Sequence, residues 1–234
     1  MQSCDYRFYP QQIDVYGFDS SRQTKFVIQP YFNVSNLHLG FAHSFTNHLF
    51  VSSSLQGDFD FIHAIYGDSW GSKAFSINLS TGYFKENLKG TGFEIVPGLT
   101  YERTSYHIRH QASDWTYTGN HWWESGEPDY LIPSIQPSIY FKNRKINFSL
   151  TGKVSYLFQT EKVYYLTSTG YQSYKEVFYP RSFLFQPSIE LYDPRSKWLR
   201  IYLTLNISSK KGDDYYFTPP CQFGMKFMMH RNKK

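Results

Sequence analysis

The sequence predicts an all-β fold: a closed antiparallel up-and-down transmembrane β-barrel of about ten strands, with short turns at one end and longer loops at the other. Three observations lead there. First, residues 145–161, KINFSLTGKVSYLFQTE, split by steps of two into Ile146, Phe148, Leu150, Gly152, Val154, Tyr156 and Phe158 on one face and small or charged residues on the other. Side chains on a strand alternate between faces, so this is one long strand with an apolar side, and a helix would mix the two sets. Second, connections between such segments alternate, apart from the first, between short polar turns and longer loops. Third, aromatic residues make up 20% of the chain although hydrophobic residues reach only 41%, a pairing that fits strands facing two different solvents.

Alternation alone also fits a soluble barrel or sandwich, and residue size separates the cases. The polar face is heavily Ser, Thr, Gly, Asn and Gln, suited to a narrow lumen, where a soluble protein's outer face would carry long charged side chains. The apolar face is Phe, Tyr, Leu, Ile and Met on nearly every strand, more than the inside of a closed barrel of this size can hold. Apolar-out is therefore the expected orientation.

The elements follow in order. Residues 1–23 read as an extended lead-in, residues 24–230 as the barrel and 231–234 as a basic, solvated tail. The first strand spans Lys25 to Asn33, turns at Val34 to Asn36, and pairs with a second through Leu37, Leu39 and Phe41. After Thr46 to His48 a third strand runs from Leu49 to about Phe59. A longer loop around Gly67 to Gly71 leads to the fourth, Ala74 to Phe84, and a tight turn at Asn87 to Gly90 leads to the fifth, which carries Phe93, Ile95, Leu99 and Tyr101. His107 to Asp129 reads as the longest irregular stretch. The sixth strand, Leu131 to Phe141, turns at Lys142 to Arg144 into the seventh, Lys145 to Glu161. Another long loop is expected from about Val163 to Val177. The eighth strand carries Phe183, Phe185, Ile189 and Leu191, the ninth Leu199 to Ile207, and the tenth Phe223, Met225, Phe227 and Met229. Ile135-Gln136-Pro137-Ser138-Ile139 and Phe185-Gln186-Pro187-Ser188-Ile189 echo one another, each before a short turn.

On this register Glu94, Glu102, Lys153, Glu190, Arg200 and Lys226 point into the lumen. Buried charges persist when paired and hydrogen-bonded, so a salt-bridged network that keeps the lumen closed is expected. Pro30, Pro97, Pro133, Pro137 and Pro187 fall on the apolar face, and because proline removes a ladder donor, local bulges are expected there.

Several classes are excluded or disfavoured. No stretch approaches the roughly 20 apolar residues of a membrane helix. The net charge of +5 is modest and its basic residues are scattered, which argues against nucleic acid. Cys4 and Cys221 are the two cysteines, too few for a disulfide framework or a cysteine zinc site, and they are expected to be unbonded. Ser3-Cys4-Asp5 would suit a lipoprotein cleavage junction with Cys4 acylated, a reading placed slightly ahead of an ordinary free cysteine in a terminal segment.

With the strands laid out, the chain resembles small outer-membrane β-barrel proteins of Gram-negative bacteria, in particular lipoprotein-like barrels of the Bacteroidota. Ser3-Cys4 before an aromatic lead-in, Gly40 to His48 as strand and turn, the two Gln-Pro-Ser-Ile hairpins and the aromatic last strand carry the resemblance. It implies an outer-membrane location with short periplasmic turns, and a lipidated Cys4. It carries no catalytic residues, cofactor or metal.

His107, His110, Asp114, His121, Glu124, Glu127 and Asp129 raise a hydrolase hypothesis, protease or lipid deacylase, without any spacing that fixes a catalytic geometry. Trp115, Tyr117, Trp122 and Trp123 would either stack on a glycan or partner protein or form a membrane-interface belt. The expected function is a non-enzymatic outer-membrane barrel with a plugged polar lumen. Its partners would be outer-membrane lipid and an envelope protein or glycan, with no nucleic acid. The alternatives are a barrel hydrolase using residues 107–129 and a soluble ligand-binding β-barrel.

Overall fold

The computed structural model describes residues 13–18, 22–30, 36–58, 73–87, 90–111, 121–167, 172–178, 182–196, 198–209 and 221–232. Twelve strand segments are present among them: β1 (Gln23–Pro30), β2 (Asn36–Ser44), β3 (Leu49–Asp58), β4 (Lys73–Glu86), β5 (Thr91–Gln111), β6 (His121–Phe141), β7 (Asn147–Thr167), β8 (Gln172–Phe178), β9 (Ser182–Tyr192), β10 (Leu199–Leu205), β11 (Ile207–Ser208) and β12 (Cys221–Asn232). All neighbours are antiparallel. β8 and β9 follow one another along the same edge of β7, and β10 and β11 along the same edge of β9. The twelve segments thus make ten staves, and β1 pairs with β12 from Gln23↔Asn232 to Ile28↔Phe227 to close the barrel.

Orientation follows the alternation. On β7 and β10, Leu150, Ile201 and Leu203 are 48%, 44% and 42% exposed, while Thr151, Lys153 and Thr204 are 8%, 5% and 1% exposed. The outer surface is therefore hydrocarbon and the inner one mostly hydroxyl, amide and charge. From Phe148 to Phe158 the outward face of β7 covers ten residue steps, or about 34 Å along the strand at about 3.4 Å each. At the tilt of about 45° common in such barrels, that is a belt about 25 Å tall. Outward rings pair near the short-turn end: Tyr83 with Phe93, Phe141 with Phe148, and Trp198 with Phe227.

Three expectations need correction. The stretch from His107 to Asp129 is mostly ladder, because β5 runs to Gln111 and β6 starts at His121, with His107↔Ser125 and His110↔Trp122 paired. The loop expected from Val163 to Val177 is likewise the end of β7 hydrogen-bonded to β8. In both places apolar alternation stops where the strands rise past the apolar belt, and the hydrogen-bond ladder does not need that alternation to continue. The third correction concerns proline. The β5–β6 ladder keeps one register from Thr91↔Phe141 to Gln111↔His121, continuous across Pro97, Pro133 and Pro137 without a bulge and interrupted only at Thr104 and Ser105, opposite Pro128 and Glu127. An antiparallel residue aims its N–H at one neighbour alone. Each loss is thus confined to one side, seen as missing pairs around Pro97 toward β4 and around Pro133 and Pro137 toward β7.

The inside is also less uniformly small and polar than the alternation suggests. Phe50, Phe84, Tyr130, Tyr140, Tyr202 and Met228 point inward and are buried. Three of these rings lie over a glycine directly opposite on the next strand: Phe50 over Gly82, Tyr140 over Gly92 and Tyr202 over Gly224. A Cβ at Gly82 or Gly92 would stand far inside van der Waals contact with the ring, so the missing side chain is what lets each ring lie flat against the wall. β12 continues through Asn232, so its ladder takes in the first two residues of the expected tail.

Candidate functional site

The barrel interior is the site, because it gathers buried charge around a segment that is not part of the wall. Residues 13–18 have no regular secondary structure and are buried throughout. In a strand, backbone polar groups are satisfied by the neighbouring strand, but an isolated extended segment needs partners from elsewhere. The wall supplies them. The carbonyl oxygens of Ile13, Asp14, Val15, Tyr16, Gly17 and Phe18 accept in turn from Lys226 Nζ (2.7 Å), Gln136 Nε2 (2.8 Å), Arg200 Nη1 (2.6 Å), Lys25 Nζ (2.6 and 2.7 Å) and Tyr140 Oη (3.4 Å). The N–H groups of Tyr16 and Gly17 both donate to the Glu94 carboxylate. Gly17 has φ +57°, a conformation open to glycine at little cost.

Side chains of the segment join the same network. Asp14 Oδ2 meets His38 Nε2 at 2.8 Å, and Asp14 Oδ1 lies 3.7 Å from Lys226 Nζ. Lys226 also pairs with Glu190, which accepts from Arg200 Nη1 at 2.9 Å. Tyr16 and Phe18 pack on Phe50, with ring centroids 5.7 and 5.0 Å apart, and Phe18 packs on Phe84 at 5.3 Å. Val27, Ala42, Val96 and Met228 complete this cluster. Beside the segment a polar cavity of about 30 Å³, lined by Asp14, Ser52, Ser54, Asn78 and Lys153 among others, has room for about one water.

All six lumen charges named from the sequence, Glu94, Glu102, Lys153, Glu190, Arg200 and Lys226, are buried inside. Glu94, Glu190, Arg200 and Lys226 converge on residues 13–18. Lys153 lies within Coulombic reach of Asp14 and Glu102. Sequence reasoning missed Lys25, His38 and Asp14. Lys25 and His38 share the inward parity of their strands and could have been found from it; Asp14 sits in a stretch without periodicity and gave no signal.

Cys4, Trp115 and Tyr117 lie outside the described residues, as does Asp114. Trp122 and Trp123 belong to β6, their backbones paired with β5 and β7. Above the apolar belt, outward-facing Arg103 donates to Glu127 at 2.7 Å and lies 3.9 Å from Asp129, which accepts from Tyr101 Oη at 2.6 Å. The Glu127 hydrogen bond, with the nearby charge of Asp129, raises the Arg103 pKa further. No group of three or more metal-ligating side chains is present among the described residues.

These features define the class: a closed ten-stranded antiparallel β-barrel, apolar outside, with a charged interior around a non-wall segment. No family model matches the chain, and no curated protein matches it. Among solved structures it is similar to a KdgM porin, at 13% identity, 91% coverage of this chain, 99% of that one and a TM-score of 0.28, a likeness too distant to carry a functional argument.

Proposed function

We propose that this chain is an outer-membrane β-barrel whose lumen is shut by its own N-terminal residues 13–18. The wall of main-chain contacts around that segment is the observation that supports closure. The location is supported by the outer surface: an apolar belt about 25 Å tall matches the hydrocarbon band of such barrels. Paired rings near its short-turn edge suit the aromatic girdle at a lipid interface. Short turns, the start of β1 and the end of β12 share one rim, which would be periplasmic.

Above the belt, β5, β6, β7 and β8 rise as a wall on the opposite side. A closed lumen leaves that wall as the surface for contact with an envelope protein or glycan, with Trp122 and Trp123 on β6 as the expected aromatic contacts. Fractionation and planar-bilayer recording test the reading. The wild-type chain should sediment with outer membranes and show no stable channel. A large steady conductance, or solubility in buffer without detergent, would overturn it.

A further inference from the structure

We propose that the lumen is a binding site for extended polypeptide and that residues 13–18 are its resident ligand, held in cis. This rests on reading those residues as the plug and adds what the site recognises. The grip is on the main chain, with six successive carbonyl oxygens and two N–H groups held by wall side chains. Main-chain atoms are common to all peptides, so these contacts read extension and register.

Selectivity enters at three adjacent positions. The rings of Tyr16 and Phe18 fill the recess formed by Phe50 and Phe84. Between them Gly17 takes a positive φ that turns its N–H and that of Tyr16 onto one carboxylate. The ligand class is a short extended peptide with an aromatic-Gly-aromatic centre. A lumen meant only to stay filled could be packed with hydrocarbon, which avoids the desolvation that buried Lys25, Arg200 and Lys226 require. Cations aimed at peptide carbonyls instead suit a segment that is bound and released.

The tether sets the strength. β1 begins five residues after Phe18, and a short tether holds its segment at an effective concentration in the millimolar range. A segment that stays bound in cis therefore has a dissociation constant below that, and the same peptide supplied free at about 1 mM should occupy an emptied site.

The experiment uses the full chain carrying Gly17→Pro, which forbids the positive φ and removes the N–H to Glu94. In planar bilayers this variant should open a stable channel. The synthetic hexapeptide of residues 13–18 at about 1 mM should then lower the conductance by at least about half, and the same hexapeptide with both aromatics replaced by alanine should not. Where Gly17→Pro gives no compact band on an unheated gel, Gly17→Ala serves the same recording; nothing lies within 4 Å of its Cβ, so only the backbone is strained. An open channel blocked by neither peptide, or equally by both, overturns this inference and leaves the plug standing. A folded variant that stays closed overturns the plug reading and the inference with it.

Discussion

At the scale of single residues, the interior is organised by what glycine leaves out and what glutamate neutralises. Phe50 rests on Gly82 while Tyr16 and Phe18 press on it from the lumen side, so a methyl at Gly82 has nowhere to go. Gly82→Ala should destabilise the barrel by about 1–3 kcal/mol, as overpacking does, read as a lower temperature for loss of the compact gel band. An unchanged transition would show that the ring moves freely. Glu190 is the common partner of Arg200 and Lys226, both buried. Glu190→Ala takes from Arg200 the carboxylate it donates to and leaves Lys226 with the more distant Asp14, and should cost about 3–5 kcal/mol. Removing exposed Arg103 from its pair with Glu127 should shift the same transition little, because surface ion pairs contribute at most about 1 kcal/mol.

At the scale of elements, the strands were legible wherever one face met hydrocarbon. Phe93, Ile95, Leu99 and Tyr101 announce β5 by alternation, and the same parity places Glu94 and Glu102 inside. Beyond Tyr101 the outward residue is Arg103, alternation ends, and β5 nevertheless continues to Gln111. Periodicity reports solvent contrast, and hydrogen bonding outlasts it. The segment 13–18 was illegible for a related reason: it is enclosed on all sides, so no period separates its faces, and its partners lie up to 213 residues away in sequence, as with Lys226 and Ile13. Two substitutions test the element scale. Ile135→Arg, outward and mid-belt, should cost about 2–4 kcal/mol in lipid, with refolding yield in vesicles as the measure. Pro133→Ala should leave migration and stability close to wild type, since the register is already continuous there; a large change in either direction would show that the proline sets the local geometry.

At the scale of the molecule, ten staves closed between Gln23 and Asn232 enclose an interior of acidic and basic side chains, with a cavity of about 30 Å³ beside residues 13–18. Such a closed hydrogen-bonded cylinder should resist detergent until heated, so unheated and boiled samples should migrate differently on gels; identical migration would argue that the cylinder is not closed in detergent.

The seam between the first and last strands also dictates an order of events during biogenesis. Pairing of β1 with β12 joins the first and last strands in sequence, the kind of contact whose entropic cost delays it. Residues 13–18 lead directly into β1 and so arrive inside as the cylinder seals, without having to be threaded through a finished pore. On the proposed reading, a newly inserted molecule would then be leak-tight from its first moment in the envelope.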